Sequence, residues 1–143
     1  MKRKVSVVLL LTLVGSLTFC WSLSYWTVDP FTTFNDDLTS LTDQIVTAIN
    51  ENPTPAGVDE ARKLLSAKKP GLQEELAHLK KVSAARSGGK ALKEFGQGII
   101  ANRAKLEALL TRLLQDHHRT LKHDDPFLQS LSNLGVEYSA LFD

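Results

Sequence analysis

The side chains best able to do chemistry gather in one stretch. Gln115-Asp116-His117-His118-Arg119-Thr120-Leu121-Lys122-His123-Asp124-Asp125 sets three of the four histidines beside three aspartates. Imidazole and carboxylate together suit zinc, copper or nickel. The spacing is poor for ligation. Adjacent His117 and His118 would point about 100° apart on a helix, and neither has a histidine four residues on. Histidines near a helix C-terminus are favoured by its dipole, so a solvated helix end accounts for the cluster. Asp116, His117, His118 and His123 are therefore weak metal candidates, and neither a metal nor any other cofactor is expected.

A second stretch, Gly96-Gln97-Gly98-Ile99-Ile100-Ala101, matches a dinucleotide fingerprint, with Asp116 twenty residues after Gly96. That motif works only where a strand ends at its first glycine. Here Lys90-Ala91-Leu92-Lys93-Glu94-Phe95 precedes it and reads as helix. The glycines are expected instead to admit a close helix neighbour, with Ala84 and Ala85 opposite, at about 1 kcal/mol of helix propensity each. His78 stands alone between Ala77 and Leu79, on a helix surface. No C-x-x-C-H occurs, and Met1 is the only methionine, so the usual haem ligand sets are missing. Inward Glu-x-x-His pairs for a di-iron bundle, nucleophile elbows and phosphate loops are also absent. No enzyme chemistry is expected.

The most distinctive charge pattern is a basic cluster. Lys80, Lys81, Arg86, Lys90 and Lys93 fall within fourteen residues and meet only Glu94 nearby. Aromatic residues interleaved for base stacking are missing, which argues against nucleic acid. Anionic lipid headgroups, a cell-wall polymer or an acidic protein suit such a cluster. Charge is segregated along the chain. Residues 29–51 hold five acids and no Lys or Arg, residues 59–122 hold fourteen basic residues against seven acids, and residues 124–143 hold four acids and no Lys or Arg. Pairing of acidic end helices with a basic middle explains this within one fold.

The elements that position these groups are helical. After residue 28 the chain is rich in Ala, Leu, Lys, Glu, Gln and Arg, which favour helix. A first helix is predicted from Asn35 as N-cap, with Asp36 and Asp37 in its first turn and Leu38, Leu41, Ile45, Val46 and Ile49 on one face. Thr54-Pro55 opens the second, with Thr54 as its N-cap. Lys68-Lys69-Pro70-Gly71 looks like a break, yet the apolar phase runs through it from Val58, Ala61 and Leu65 to Leu72, Leu76, Leu79 and Val82. A single bent rod over residues 55–86 is predicted. Ser87-Gly88-Gly89 is a turn, and a second rod runs over residues 90–121. Asp125-Pro126 opens the last helix. The first and last helices are expected to be half the rod length and to cover only the end of the rods near Thr54 and Leu121. The basic turn then projects as a two-helix, coiled-coil stalk. The expected fold is all-α: an N-terminal membrane or signal helix, then an antiparallel helical bundle with a long hairpin.

The N-terminus decides the compartment. Met1-Lys2-Arg3-Lys4 precedes residues 5–28, a span of 24 without charge. Such a helix rises roughly 36 Å, enough to cross a bilayer core of about 30 Å. Trp21, Tyr25 and Trp26 fit an interfacial belt, and the basic start fits a cytoplasmic end. A retained anchor over residues 1–28, holding residues 29–143 outside the cytoplasm as in a bacterial periplasm, is the main expectation. Two alternatives are secretion after cleavage near residues 14–16 or 22–24, and lipidation at Cys20. Leu17-Thr18-Phe19-Cys20 resembles a bacterial lipobox, although Phe19 is larger than that pattern takes. Cys20 is the only cysteine, so the remaining chain is held by packing and not by disulfides. These features imply a membrane-associated module that binds or spaces a partner, or else a periplasmic bundle that binds a metal or small ligand.

Overall fold

Three of the four described helices open on a proline whose missing N–H would have had no partner in the first turn anyway. In a computed structural model, which describes residues 29–85, 89–118 and 125–143, the helices are α1 (Pro30–Glu51), α2 (Pro55–Ala85), α3 (Lys90–His118) and α4 (Pro126–Ser139). No strand occurs among the described residues. Phe31–Asp143 forms one compact unit. The anchor expected over residues 1–28 lies outside the described residues. Among the described residues no helix is long and apolar enough to cross a membrane.

The start of α1 corrects the sequence reading. The helix begins at Pro30, so Asn35 is an interior residue and not a cap. The side chain of Asn35 instead donates through Nδ2 to the Glu94 carbonyl at 3.2 Å. The early start adds Phe31 and Phe34 to the buried face of Leu38, Leu41, Ile45 and Ile49. In α2, Pro70 sits inside one continuous helix, as predicted. It lies on the exposed face, while Leu65, Leu72 and Leu76 stay buried on the other. The lost hydrogen bond therefore falls on the solvent side, where bending is tolerated. Thr54 does not spend its hydroxyl on a cap. It donates to Asn52 Oδ1 at 2.7 Å. Asp125 does cap α4: its Oδ1 accepts from the Phe127 amide at 2.7 Å, with Pro126 in the first helical position.

Cross-helix pairs give the directions. Phe31 packs on Phe95 with ring centroids 5.2 Å apart. Further along, Asn102 Nδ2 donates to Thr39 Oγ1 at 3.0 Å, Lys105 pairs with Asp43, and Arg112 donates to Asn50 at 2.7 Å. Rising numbers match rising numbers, so α1 and α3 are parallel. Against α2 the order reverses: Asp37 faces Glu75, and Thr47 and Ala48 share a groove with Leu64. The rods α2 and α3 are therefore antiparallel, as the short Ser-Gly-Gly turn requires. Helix α4 runs with α2 and against α3. Glu137 pairs with Arg62, the Ala140 carbonyl accepts from Gln73 at 3.0 Å, and the Phe142 carbonyl accepts from Lys80 at 3.2 Å. Arg103 stacks over the Phe142 ring at 5.7 Å. This is an up-down-up-down bundle around one core.

The expected bare stalk does not exist in this form. With 22 residues, α1 is longer than half of the 31-residue α2. Its first turn reaches Phe95, and the C-terminal segment reaches Lys80. Leu79 and Phe95 are buried, and Val82 and Leu92 pack against the core. Only the last turns beside Gly89 extend past α1.

The two glycines of the dinucleotide-like stretch behave differently. A methyl on Gly98 would lie 2.5 Å from the amide group of Asn35, so the close neighbour is α1 and not Ala84 or Ala85. A methyl on Gly96 would meet nothing within 4 Å among the described residues. Gly96→Ala should stabilise the bundle by about 0.5–1 kcal/mol, the helix-propensity difference. Gly98→Ala should destabilise it by about 1 kcal/mol net, since crowding of about 1–3 kcal/mol outweighs the same gain. Urea midpoints of the two variants should move in opposite directions. A shared direction would remove Asn35 from the contact.

Candidate functional site

The five basic residues predicted as a partner site do not act alike. Lys80 bridges to the C-terminal segment through the Phe142 carbonyl and is partly used by the fold. Lys90 pairs with Glu94 one turn on at 3.6 Å, but its side chain remains 89% exposed, so the pair adds little to stability. Lys81 and Lys93 are exposed and make no ion pair with another described residue. Arg86 lies outside the described residues. Lys81, Lys90 and Lys93 thus crown the end of the bundle where α2 finishes and α3 begins. Folding of the α2–α3 hairpin brings them there. Of the metal candidates, Asp116 is exposed on α3. His117 and His118 close that helix, His123 follows it, and the side chains of all three lie outside the described residues. Among the described residues no group of three or more metal-ligating side chains converges.

The best-formed polar contact leaves no signal in the sequence. Arg62 on α2 and Glu137 on α4 form a two-pronged pair, with Nε 3.1 and 3.2 Å from the two carboxylate oxygens and Nη2 closing on Oε1. Seventy-five residues separate them along the chain, so no local pattern could join them. They line an open groove of about 600 Å³ with Asp59, Lys63, Ser66 and Lys69. The fork of Arg62 is occupied by Glu137; of the other cations there, Lys63 pairs with Glu60 at 3.7 Å and Lys69 is half-buried with its charge acting on Glu137. Ile100 and Val136 are each 68% exposed on outer helix faces; single exposed apolar residues are ordinary surface.

Electrostatics around these helices titrate in opposite senses. The hydrogen bond from Arg62, aided by the Arg62 and Lys69 charges, holds the Glu137 carboxyl below its ordinary 4.5 despite partial burial. Burial first, then the charges of Asp37 and Glu74, push the Glu75 carboxyl above 4.5. A lowered folded value means that the native state binds its proton less readily than the unfolded chain. The Glu137 contribution is therefore present above about pH 4.5 and lost as pH falls below it. A raised value does the reverse: the Glu75 contribution is present below about pH 4.5 and lost as pH rises through its folded value. Glu137→Gln should therefore be destabilised relative to wild type at neutral pH and lose that deficit in acid, as pH falls through the folded value. Glu75→Gln should be stabilised at neutral pH and lose that advantage in acid. Denaturation curves at both pH values check the two signs.

No protein-family model, no curated protein and no solved structure matches this chain.

Proposed function

We propose that the chain is a membrane-associated helical module, held on the non-cytoplasmic side, that binds or spaces a partner and catalyses no reaction. The observation that carries this reading is the junction of two unlike segments. An uncharged run over residues 5–28, preceded by three basic residues, leads directly into a bundle whose core is closed by side chains from all four helices. The exposed Lys81, Lys90 and Lys93 supply a surface for an anionic partner, and the groove beside the Arg62–Glu137 pair is open. Retention at the membrane and recognition at the bundle surface together make a tether with a head.

The test is the intact mass of protein extracted from membranes, followed by capture of what it holds. The expected mass includes Met1 or lacks Met1 alone. A mass that starts near residue 17 or residue 25 would overturn the retained anchor, and a lipid adduct on Cys20 would replace it with a lipid tether. Capture by the extracted protein should yield a macromolecule whose release rises with salt, as exposed lysines require.

A further inference from the structure

Two independent observations meet at one end of the bundle. The first is topological. Because α1 and α3 are parallel, Phe31 lies level with Phe95, and the chain enters the bundle at the end where α3 begins. Only Asp29 and Pro30 separate Phe31 from Val28, the last residue of the uncharged run. Three residue steps span at most about 11 Å. The second is electrostatic. Lys81, Lys90 and Lys93 are exposed at that same end, and Lys80 stands beside them. The acids there are Glu94, which pairs with Lys90 at 3.6 Å, Asp143, next to the Phe142 carbonyl that Lys80 holds, and Asp29 just before α1, so the cations still outnumber the acids.

We propose that this end of the bundle lies against anionic phospholipid headgroups of the same membrane that holds residues 5–28. The inference rests on the membrane tether of the proposed function and adds what the basic end is for. A headgroup surface within about 11 Å of Phe31 is close to one screening length, about 8–10 Å, from the lysines around it. Each lysine near an anionic surface contributes about a fivefold preference for it. The lysines thus keep this end of the bundle at the headgroups, opposite the Asn52-Pro53-Thr54 end of α1 and α2. The partner then meets that far end or the helix flanks, and not the basic end.

The experiment uses the full chain in vesicles of phosphatidylcholine alone or mixed with phosphatidylglycerol, read by flotation and by amide exchange. Phosphatidylglycerol should slow exchange at Lys81, Val82 and the first turn of α3 at least about fivefold. High salt should reverse this, and the triple variant K81E, K90E, K93E should lose it while Leu106 and Leu131 keep their protection. Equal exchange in both vesicle types, in a chain that floats with them, would overturn this inference and leave the tether standing. Slowing that needs an added acidic membrane protein would assign the lysines to that protein and overturn it too. A chain that does not float would overturn the tether and this inference together. Loss of protection at Leu106 and Leu131 in the triple variant would place the lysines in the bundle's own charge pairing and would likewise overturn the inference.

Discussion

Phe34→Ala should cost about 3–5 kcal/mol, the range for truncating a buried aromatic residue. Phe34 is 1% exposed and meets the edge of Phe95 with ring centroids 5.4 Å apart. Phe31 packs on the same ring, so three aromatic residues join the first turns of α1 to α3. Removing Phe34 leaves a cavity that Phe31 and Leu38 cannot fill without moving the helix. A domain of this size has a total stability of about 5–15 kcal/mol, so the loss is a large share. Denaturant titration should show the midpoint fall with little change in slope. A change below about 1 kcal/mol would return Phe34 to the surface and α1 to a later start.

The buried hydroxyl pair between α1 and α4 gives the second large effect, and it is asymmetric. Thr42 Oγ1 donates to the Leu38 carbonyl at 2.7 Å, and the same oxygen lies 2.7 Å from the Tyr138 hydroxyl. Thr42 has one hydroxyl proton, and a carbonyl can only accept. The proton between Thr42 and Tyr138 must therefore come from Tyr138. Burial raises the phenol's proton affinity, which fits a donor that keeps its proton. Thr42→Val then leaves a buried phenol with no acceptor, at about 1–3 kcal/mol. Tyr138→Phe leaves Thr42 still bonded to Leu38 and should cost less, about 0.5–1.5 kcal/mol. The double variant should be no less stable than Thr42→Val alone, because it has no stranded donor. The reverse order of the single variants would reverse the donor.

These contacts show which features of the fold were legible. Helix number and type followed from apolar phase, and that phase carried α2 through Pro70 against the usual reading of Pro-Gly. Thr54-Pro55 and Asp125-Pro126 marked two helix starts. The third start has the same form, Asp29-Pro30, but Asn35-Asp36-Asp37 looks like a cap and first turn, and it drew the boundary six residues too late. That error hid Phe31 and Phe34, and with them the cover over the hairpin end. Asn102 looked like a polar interruption of the α3 stripe. It is buried, and its Nδ2 is shared between Thr39 Oγ1 and the Gly98 carbonyl, both at 3.0 Å. Pairing across 63 residues leaves no local trace. At the basic end, Lys81, Lys90 and Lys93 are exposed as expected, but at the end of a covered bundle and not on the projecting stalk from which that exposure was argued. The use of Lys80 by the C-terminal segment depended on where α4 lies, which no spacing reveals.

The parallel course of α1 and α3 also sets a schedule for synthesis. Asn35 waits for Glu94, 59 residues later, and Asp43 waits for Lys105, 62 residues later. At elongation rates of about 5–20 residues per second, α1 emerges about 3–12 s before its partner. Through that interval only α2 is available to pack on α1, and the part of the α1 face that Phe95 covers, at Phe31 and Phe34, has no partner yet made. The nascent chain is therefore most vulnerable to wrong association after α1 has left the ribosome and before α3 has, and a holding chaperone would find its binding face on α1.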